Sequence, residues 1–152
     1  MTYGELAAKN FTDGYNCAQA VLLAFSDLTK LDTDTALRLS SSFGGGMGRL
    51  REVCGAVSGM FMVAGLLYGE DSLDHTGKTE HYARIQALAA KFREKNGSII
   101  CRELMEVTEK DPSHVPEKRT SEYYKKRPCA MLCADAAEIL AQYIKENPPR
   151  ER

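Results

Sequence analysis

The stretch Gly55–Gly69, GAVSGMFMVAGLLYG, decides the fold class of this chain. It contains no charged residue, and its glycines and alanines let neighbouring backbones approach closely. As an α-helix it would extend about 22 Å, which is short of the roughly 30 Å hydrocarbon core of a bilayer. We therefore expect it to be the buried central helix of a bundle, and we expect no membrane span.

On both sides of this helix, apolar residues recur at the three- and four-residue spacing of amphipathic helices. No alternating strand pattern continues for more than a few residues, and no internal repeat is present. The pattern predicts an all-α, single-domain bundle of about five to six helices over residues 1–152. The expected flanking helices run through Leu6–Phe11 to a stop at Gly14, from a cap at Asn16 to Phe25, from Asp32–Asp34 to Ser40, over Lys78–Lys95, from Ile99 to about Glu109 after a Ser98 cap, and from Pro128 past Tyr143.

Composition and charge limit the function classes. The chain has 152 residues, of which 43% are apolar and 27% charged, as is usual for one globular domain. Its net charge of −1 gives no field to attract nucleic acid, so we expect no nucleic-acid partner. The N-terminus lacks the basic and apolar regions of an export signal, and we therefore expect a cytoplasmic protein.

Cysteines carry the strongest chemical signal. Four of the five lie where we expect helices to start, namely Cys17, Cys54, Cys101 and Cys129. The positive end of a helix stabilises a thiolate, which is the reactive and metal-binding form of cysteine. In a reducing compartment such cysteines are thiols or ligands more often than a structural disulfide framework.

Cys133 is expected to be a bystander, because it follows Cys129 by one helical turn on the same face, where a disulfide would be strained. The alternative at this spacing is that the two cysteines bind one metal ion together. No Cys-x-x-Cys pair occurs, and His75, His81 and His114 are scattered among polar residues, which disfavours a classical zinc site.

Two other motifs have plain structural interpretations. The segment Gly44–Arg49, GGGMGR, has the glycines of a phosphate loop but neither a preceding strand nor a Lys-Ser/Thr pair, so we interpret it as a hinge or close-approach loop. Tyr123 and Tyr124 with the basic residues after them are most simply a solvated connector within Asp111–Lys126. The alternative is that those charges tune a thiolate.

Four segments together resemble the redox-active protein family named C_GCAxxG_C_C. The matching pieces are YNCAQAV at 15–21, GGGMG at 44–48 leading to CGAVSG at 54–59, CREL at 101–104, and Cys129 ahead of AAEIL at 136–140. They extend from about residue 11 to about residue 144. The resemblance implies a redox protein with four functional cysteines, Cys17, Cys54, Cys101 and Cys129, and it leaves Cys133 outside the set.

Some larger members of that family resemble cytochromes with c-type haem and an iron–sulfur centre. This chain has no Cys-x-x-Cys-His, so haem is not implied. Four thiolates are, however, what an iron–sulfur cluster needs, and the resemblance keeps that cofactor open.

Three hypotheses follow. In the first, the four cysteines perform thiol–disulfide exchange or electron transfer with an unknown redox partner protein, with or without an oxidoreductase activity. In the second, the same cysteines hold an iron–sulfur cluster or a soft metal. In the third, the cysteines only pack, as small buried hydrophobes. The pairing of the cysteines stays open, and the small-residue helix 54–68 makes a homodimer an alternative to packing within one chain.

Among the four thiols we expect Cys129 to have the lowest pKa and to react first. Pro128 would start its helix, and Lys125, Lys126 and Arg127 would add positive charge to the helix dipole. Cys54, at the start of the apolar helix, should react more slowly in alkylation followed by peptide mapping.

Overall fold

Helices build the fold, as the sequence predicts. The chain was examined in a computed structural model, which describes residues 1–69, 73–106 and 113–150. Within these ranges six helices have eight residues or more, and the remaining helical segments are single turns or short helices. The elements are α1 (Tyr3–Thr12), α2 (Cys17–Ala24), α3 (Ser26–Thr29), α4 (Thr33–Ser40), a 3-10 turn (Ser41–Phe43), α5 (Gly44–Met47), α6 (Gly55–Tyr68), α7 (His75–Asn96), α8 (Cys101–Leu104), α9 (Ser121–Lys126) and α10 (Cys129–Glu146).

Helix α6 lies in the centre of the bundle, as expected. It packs against α2 and α10, α1 packs against α2 and α10, and α7 lies against α10 and α6. Its residues from Gly55 to Met60 are all buried, and so are Val63, Ala64 and Leu67. The small-residue helix therefore packs within its own chain, and the homodimer stays a prediction. In the described ranges no helix combines the length and the apolar character needed to cross a membrane.

Side-chain caps fix the predicted starts of α2 and α4. The Asn16 side chain accepts a hydrogen bond from the backbone of Gln19, and the Gln19 side chain accepts one from the backbone of Asn16, which is a complete capping box. Asp32 accepts a hydrogen bond from the Thr35 backbone and caps α4. Both helices begin where the sequence indicates.

Four local expectations differ from the structure. Helix α8 starts at Cys101 and ends at Leu104, so Cys101 is its first residue and not its third; residues 107–109 of the expected longer helix lie outside the described residues. Pro128 is the N-cap of α10, one position earlier than expected. The three- and four-residue spacing of apolar residues from Lys78 to Lys95 predicts Tyr82 on the buried face of α7, but Tyr82 is 63% exposed. The expected solvated connector contains helix α9.

Close backbone approach explains the glycine loop. Gly46 has φ of +72°, and a Cβ added there would lie 2.6 Å from the Cβ of Cys101 and 2.8 Å from the backbone nitrogen of Glu52. At Gly55, an added Cβ would lie 2.9 Å from the Cβ of Cys17. All three distances are far below van der Waals contact, so Gly46 and Gly55 tolerate only glycine. Of the two interpretations of segment 44–49, a hinge or a close-approach loop, the structure thus supports the close-approach loop.

We expect Gly46→Ala to destabilise the protein more than Gly97→Ala. Gly97 also has a positive φ, +91°, but an added Cβ there would meet nothing within 4 Å. The Gly97 variant therefore measures the cost of the conformation alone, and the Gly46 variant adds overpacking of about 1–3 kcal/mol. Urea unfolding of both variants measures the difference. Equal losses of unfolding free energy would show that the close approach at Gly46 is not a constraint.

Candidate functional site

The four cysteines that start helices line one cavity. Cys17, Cys54, Cys101 and Cys129 come from four separate parts of the chain and surround a space of about 50 Å³. All four are buried and carry free thiols. Cys133 is fully buried in the core and does not line the cavity.

Cys17 and Cys54 face each other across the α2–α6 contact. Cys17 is the first residue of α2, directly after its Asn16 cap. Cys54 is the N-cap of α6, and its sulfur lies beside the backbone N–H groups of Ala56 and Val57. The short distance between Gly55 and Cys17 brings the two helix starts together.

Cys101 is held by backbone pairing with the segment before α6. The Cys54 backbone N–H donates to the carbonyl of Ile99 at 2.8 Å, and the Cys101 N–H donates to the carbonyl of Glu52 at 2.6 Å. Between these two hydrogen bonds lies an isolated antiparallel bridge that joins Val53 to Ile100. This pairing fixes Cys54 and Cys101 on one wall of the cavity.

A buried arginine contacts one of the thiols. Arg51 is only 8% exposed, and its Nη1 donates to the Sγ of Cys101 at 3.6 Å. Its backbone has φ of +62°, a conformation that is unusual for a residue other than glycine. Since residues in such conformations persist only where their surroundings hold them, the Arg51 side chain is fixed at the cavity.

Cys129 lies on the opposite wall, at the first position of α10. Its Sγ donates to the Sδ of Met105 at 3.7 Å. Two further arginines complete this wall, with Arg119 centred 5.0 Å and Arg127 4.8 Å from the middle of the Tyr123 ring. Tyr123 is therefore part of the cavity lining and not of a solvated connector.

Burial keeps these thiols protonated. It raises the pKa of Cys54 to about 12, against hydrogen bonds from Val57 and Ala56 that lower it. It also raises the pKa of Cys101, while the hydrogen bond and charge of Arg51 lower it. For Cys17, contact with the Cys129 thiol lowers the pKa, but contact with Cys133 and burial raise it well above the ordinary value.

The expectation that Cys129 has an unusually low pKa is wrong. Contact with the Cys17 thiol and burial raise its pKa strongly, and Arg127 offsets only part of that effect. Lys125 and Lys126 point into solvent, where Lys126 pairs with Glu122, so they do not act on the sulfur. Cys101 is the thiol that contacts a guanidinium, and Arg51 there offsets part of the effect of burial on its pKa.

The sulfur atoms form no ready metal centre. Among the residues that the structure describes, no group of three or more His, Cys, Asp or Glu side chains is arranged to hold a metal ion. The described side chains, as they are arranged, therefore do not fit a metal ion or cluster.

Arg119 and Met105 could not be predicted as part of this site, because they carry no motif and reach the cavity only through tertiary packing. The other two arginines are close to cysteines in the sequence, since Arg51 precedes Cys54 by three residues and Arg127 immediately precedes the Pro128–Cys129 pair.

Fold and site together define an all-α protein whose cysteines converge on a buried, arginine-bordered cavity. A family model described as "Putative redox-active protein (C_GCAxxG_C_C)" matches residues 15–143, which include all five cysteines. The chain belongs to this family. Neither a curated protein nor a solved structure matches it.

We expect Arg51→Gln to shift the alkylation of Cys101 to higher pH. The guanidinium favours the thiolate, so its removal raises the pKa of Cys101. Rate against pH, followed by peptide mapping, gives the midpoint for each cysteine. Arg102→Gln is the matched control, because Arg102 adjoins Cys101 in sequence but pairs with Glu52 at 2.9 Å. An unchanged Cys101 midpoint in Arg51→Gln would contradict the assigned contact.

We also expect the protein to lose stability as the pH rises above 9, with Cys54 as one cause. Its thiol shifts from 9.0 to a pKa of about 12 on folding, so between these values the unfolded chain is ionised and the folded chain is not. The contribution of the Cys54 thiol to the free energy of unfolding is fully present below the unfolded pKa. Above it, that free energy falls by up to about 1.4 kcal/mol per pH unit. Urea unfolding from pH 8 to 10.5 should give a shallower slope for Cys54→Ala than for the unchanged protein. Parallel slopes would refute this.

Proposed function

We propose that the protein is a thiol redox protein in which Cys17, Cys54, Cys101 and Cys129 perform thiol–disulfide exchange or electron transfer. One observation supports this above the others: four cysteines distant in sequence line a single cavity that three arginines border. A core needs small apolar residues at such positions, but it does not need their sulfurs to converge beside arginine side chains.

The exchange step conserves atoms and electrons. One cysteine thiolate attacks a sulfur of the oxidised partner's disulfide, forming a mixed disulfide and releasing the partner's other sulfur as a thiolate. A second cysteine then attacks the mixed disulfide and releases the remaining partner sulfur. Two electrons pass from two cysteines to the partner, and the protons of the two thiols neutralise the thiolates that leave.

We assign the first attack to Cys101, because Arg51 stabilises its thiolate. Cys54 lies with Cys101 on the wall built by the backbone bridge, so Cys54 makes the second attack and closes the Cys54–Cys101 disulfide. Cys17 and Cys129, whose thiols are in contact and affect each other's ionisation, form the second pair.

We expect these four cysteines, and not Cys133, to change oxidation state with the redox poise. The protein is equilibrated in buffers from strongly reducing to oxidising, quenched in acid, alkylated while denatured, and mapped by mass spectrometry. Cys17 and Cys129 should become protected from alkylation together. Cys133→Ser is the matched control and should leave the transition unchanged, whereas Cys129→Ser should remove the protection of Cys17.

If all four cysteines alkylate equally at every poise, the proposal is wrong, and simple packing of the cysteines is favoured. Anaerobic purification with metal and sulfide analysis tests the second hypothesis in parallel. Stoichiometric iron and sulfide would replace thiol exchange by a cluster-binding function for the same cysteines.

A further inference from the structure

A second, larger cavity opens beside the thiols. It has a volume of about 230 Å³ and shares with the cysteine cavity the residues Asn16, Gly45, Arg51, Arg119, Tyr123 and Arg127. None of the five cysteines lines it. A molecule seated there would thus border the thiols without displacing them.

Positive charge dominates this outer cavity. Four arginines line it, Arg49, Arg51, Arg119 and Arg127, against one carboxylate, Glu117. Glu117 pairs with Arg49 at 3.6 Å and with Arg127. In the described part of the chain no carboxylate pairs with Arg51 or with Arg119, so three formal positive charges are left uncompensated.

Arg51 is the strongest indication of a ligand. It is 92% buried, it borders both cavities, and its side chain donates to the Cys101 sulfur, whose pKa burial raises. A buried guanidinium without an anionic partner is costly, and an anion bound in the cavity would remove that cost. Arginine side chains hold carboxylate and phosphate groups with paired hydrogen bonds.

The loop is shaped to leave this space open. Gly45 has φ of +66°, and a Cβ added there would lie 2.7 Å from Cγ of Arg49, so only glycine lets the Arg49 side chain fold over the loop. Arg119 is fixed by hydrogen bonds from its Nη1 to the Phe11 carbonyl at 3.0 Å and from its Nη2 to the Tyr15 carbonyl at 3.1 Å. The guanidinium groups are therefore preorganised, which reduces the cost of binding.

We propose that the outer cavity binds the carboxylate or phosphate group of a small molecule and directs the rest of that molecule toward the four thiols. The volume is below the roughly 300–1,000 Å³ of pockets for drug-sized ligands, so the ligand is small. That this ligand is a disulfide or thiol substrate rests on the proposed function; the anion site itself rests only on the arginines and the cavity.

Binding is tested with anions that cannot react. Calorimetric titration with succinate and, separately, with inorganic phosphate should show binding that weakens with added salt. Arg51→Gln and Arg49→Gln should each weaken it about tenfold. Arg38→Gln is the control, since the Arg38 side chain is 82% exposed and pairs only with Asp34. The anion that binds more tightly identifies the group the site prefers.

Reaction is tested with two disulfides that share the same ethyl disulfide core and carry either carboxylate or hydroxyl end groups, bis(2-carboxyethyl) disulfide and bis(2-hydroxyethyl) disulfide. For each reduced protein we take the rate with the carboxylate probe divided by the rate with the hydroxyl probe. This ratio should be higher for the unchanged protein than for Arg51→Gln or Arg49→Gln. The ratio of the two rates cancels any change in thiol ionisation that Arg51→Gln causes.

The outcomes separate the two proposals. If no anion binds and the rate ratio does not depend on charge, while both disulfides are reduced, the anion site is overturned and the thiol function stays intact. Succinate or phosphate binding that depends on Arg51 and Arg49, with neither disulfide reduced, would overturn the thiol function and leave the anion site intact. Binding that is identical in all variants would also overturn the site.

Discussion

The close backbone approach around Gly46 and Gly55 is the constraint on which the rest of the structure depends. Gly46 lies against Cys101 and Gly55 against Cys17, at distances that admit no side chain. Because the two contacts fix Cys101 beside the glycine loop and α6 beside α2, the starts of three helices meet at one point. Cys129 then joins them from α10, which packs against both α2 and α6. The position of the thiols around one cavity thus depends on Gly46 and Gly55, which let the helix starts meet.

Burial and positive charge act on these thiols in opposite directions. Removal from water raises their pKa values, so the resting cysteines are neutral and hidden from chance oxidation. Arg51 counters this at Cys101, where it favours the anionic form without exposing the sulfur. We therefore expect the reactivity of Cys101 to depend on the buried Arg51 side chain, and on which molecules reach the cavity, more than on the position of this cysteine in its helix. An α-helix of four residues such as α8 could not supply a comparable effect through its dipole.

Periodicity and capping residues predicted the long helices well, because those signals are local. The central position of Gly55–Tyr68, the caps at Asn16 and Asp32, and the four cysteines at helix starts could all be predicted from adjacent residues. The low pKa expected for Cys129 failed for the same reason. The local sequence shows Lys125 and Lys126, which face solvent, and cannot show Cys17, which approaches from the other end of the chain. Neither Arg119 nor the contact of Arg51 with Cys101 could be predicted, because only tertiary packing brings these groups together.

The two cavities divide recognition from chemistry. The inner one is small, about 50 Å³, and its lining combines the four cysteines and apolar groups with three arginines. The outer one is larger and cationic, and it shares three of its four arginines with the inner one. A molecule held by its charge in the outer cavity would therefore present its uncharged end inward, which orients a reacting sulfur without any contact specific to it. Such an arrangement also explains why arginine and not lysine lines the boundary, since a planar guanidinium can stack on Tyr123 and still donate toward either cavity.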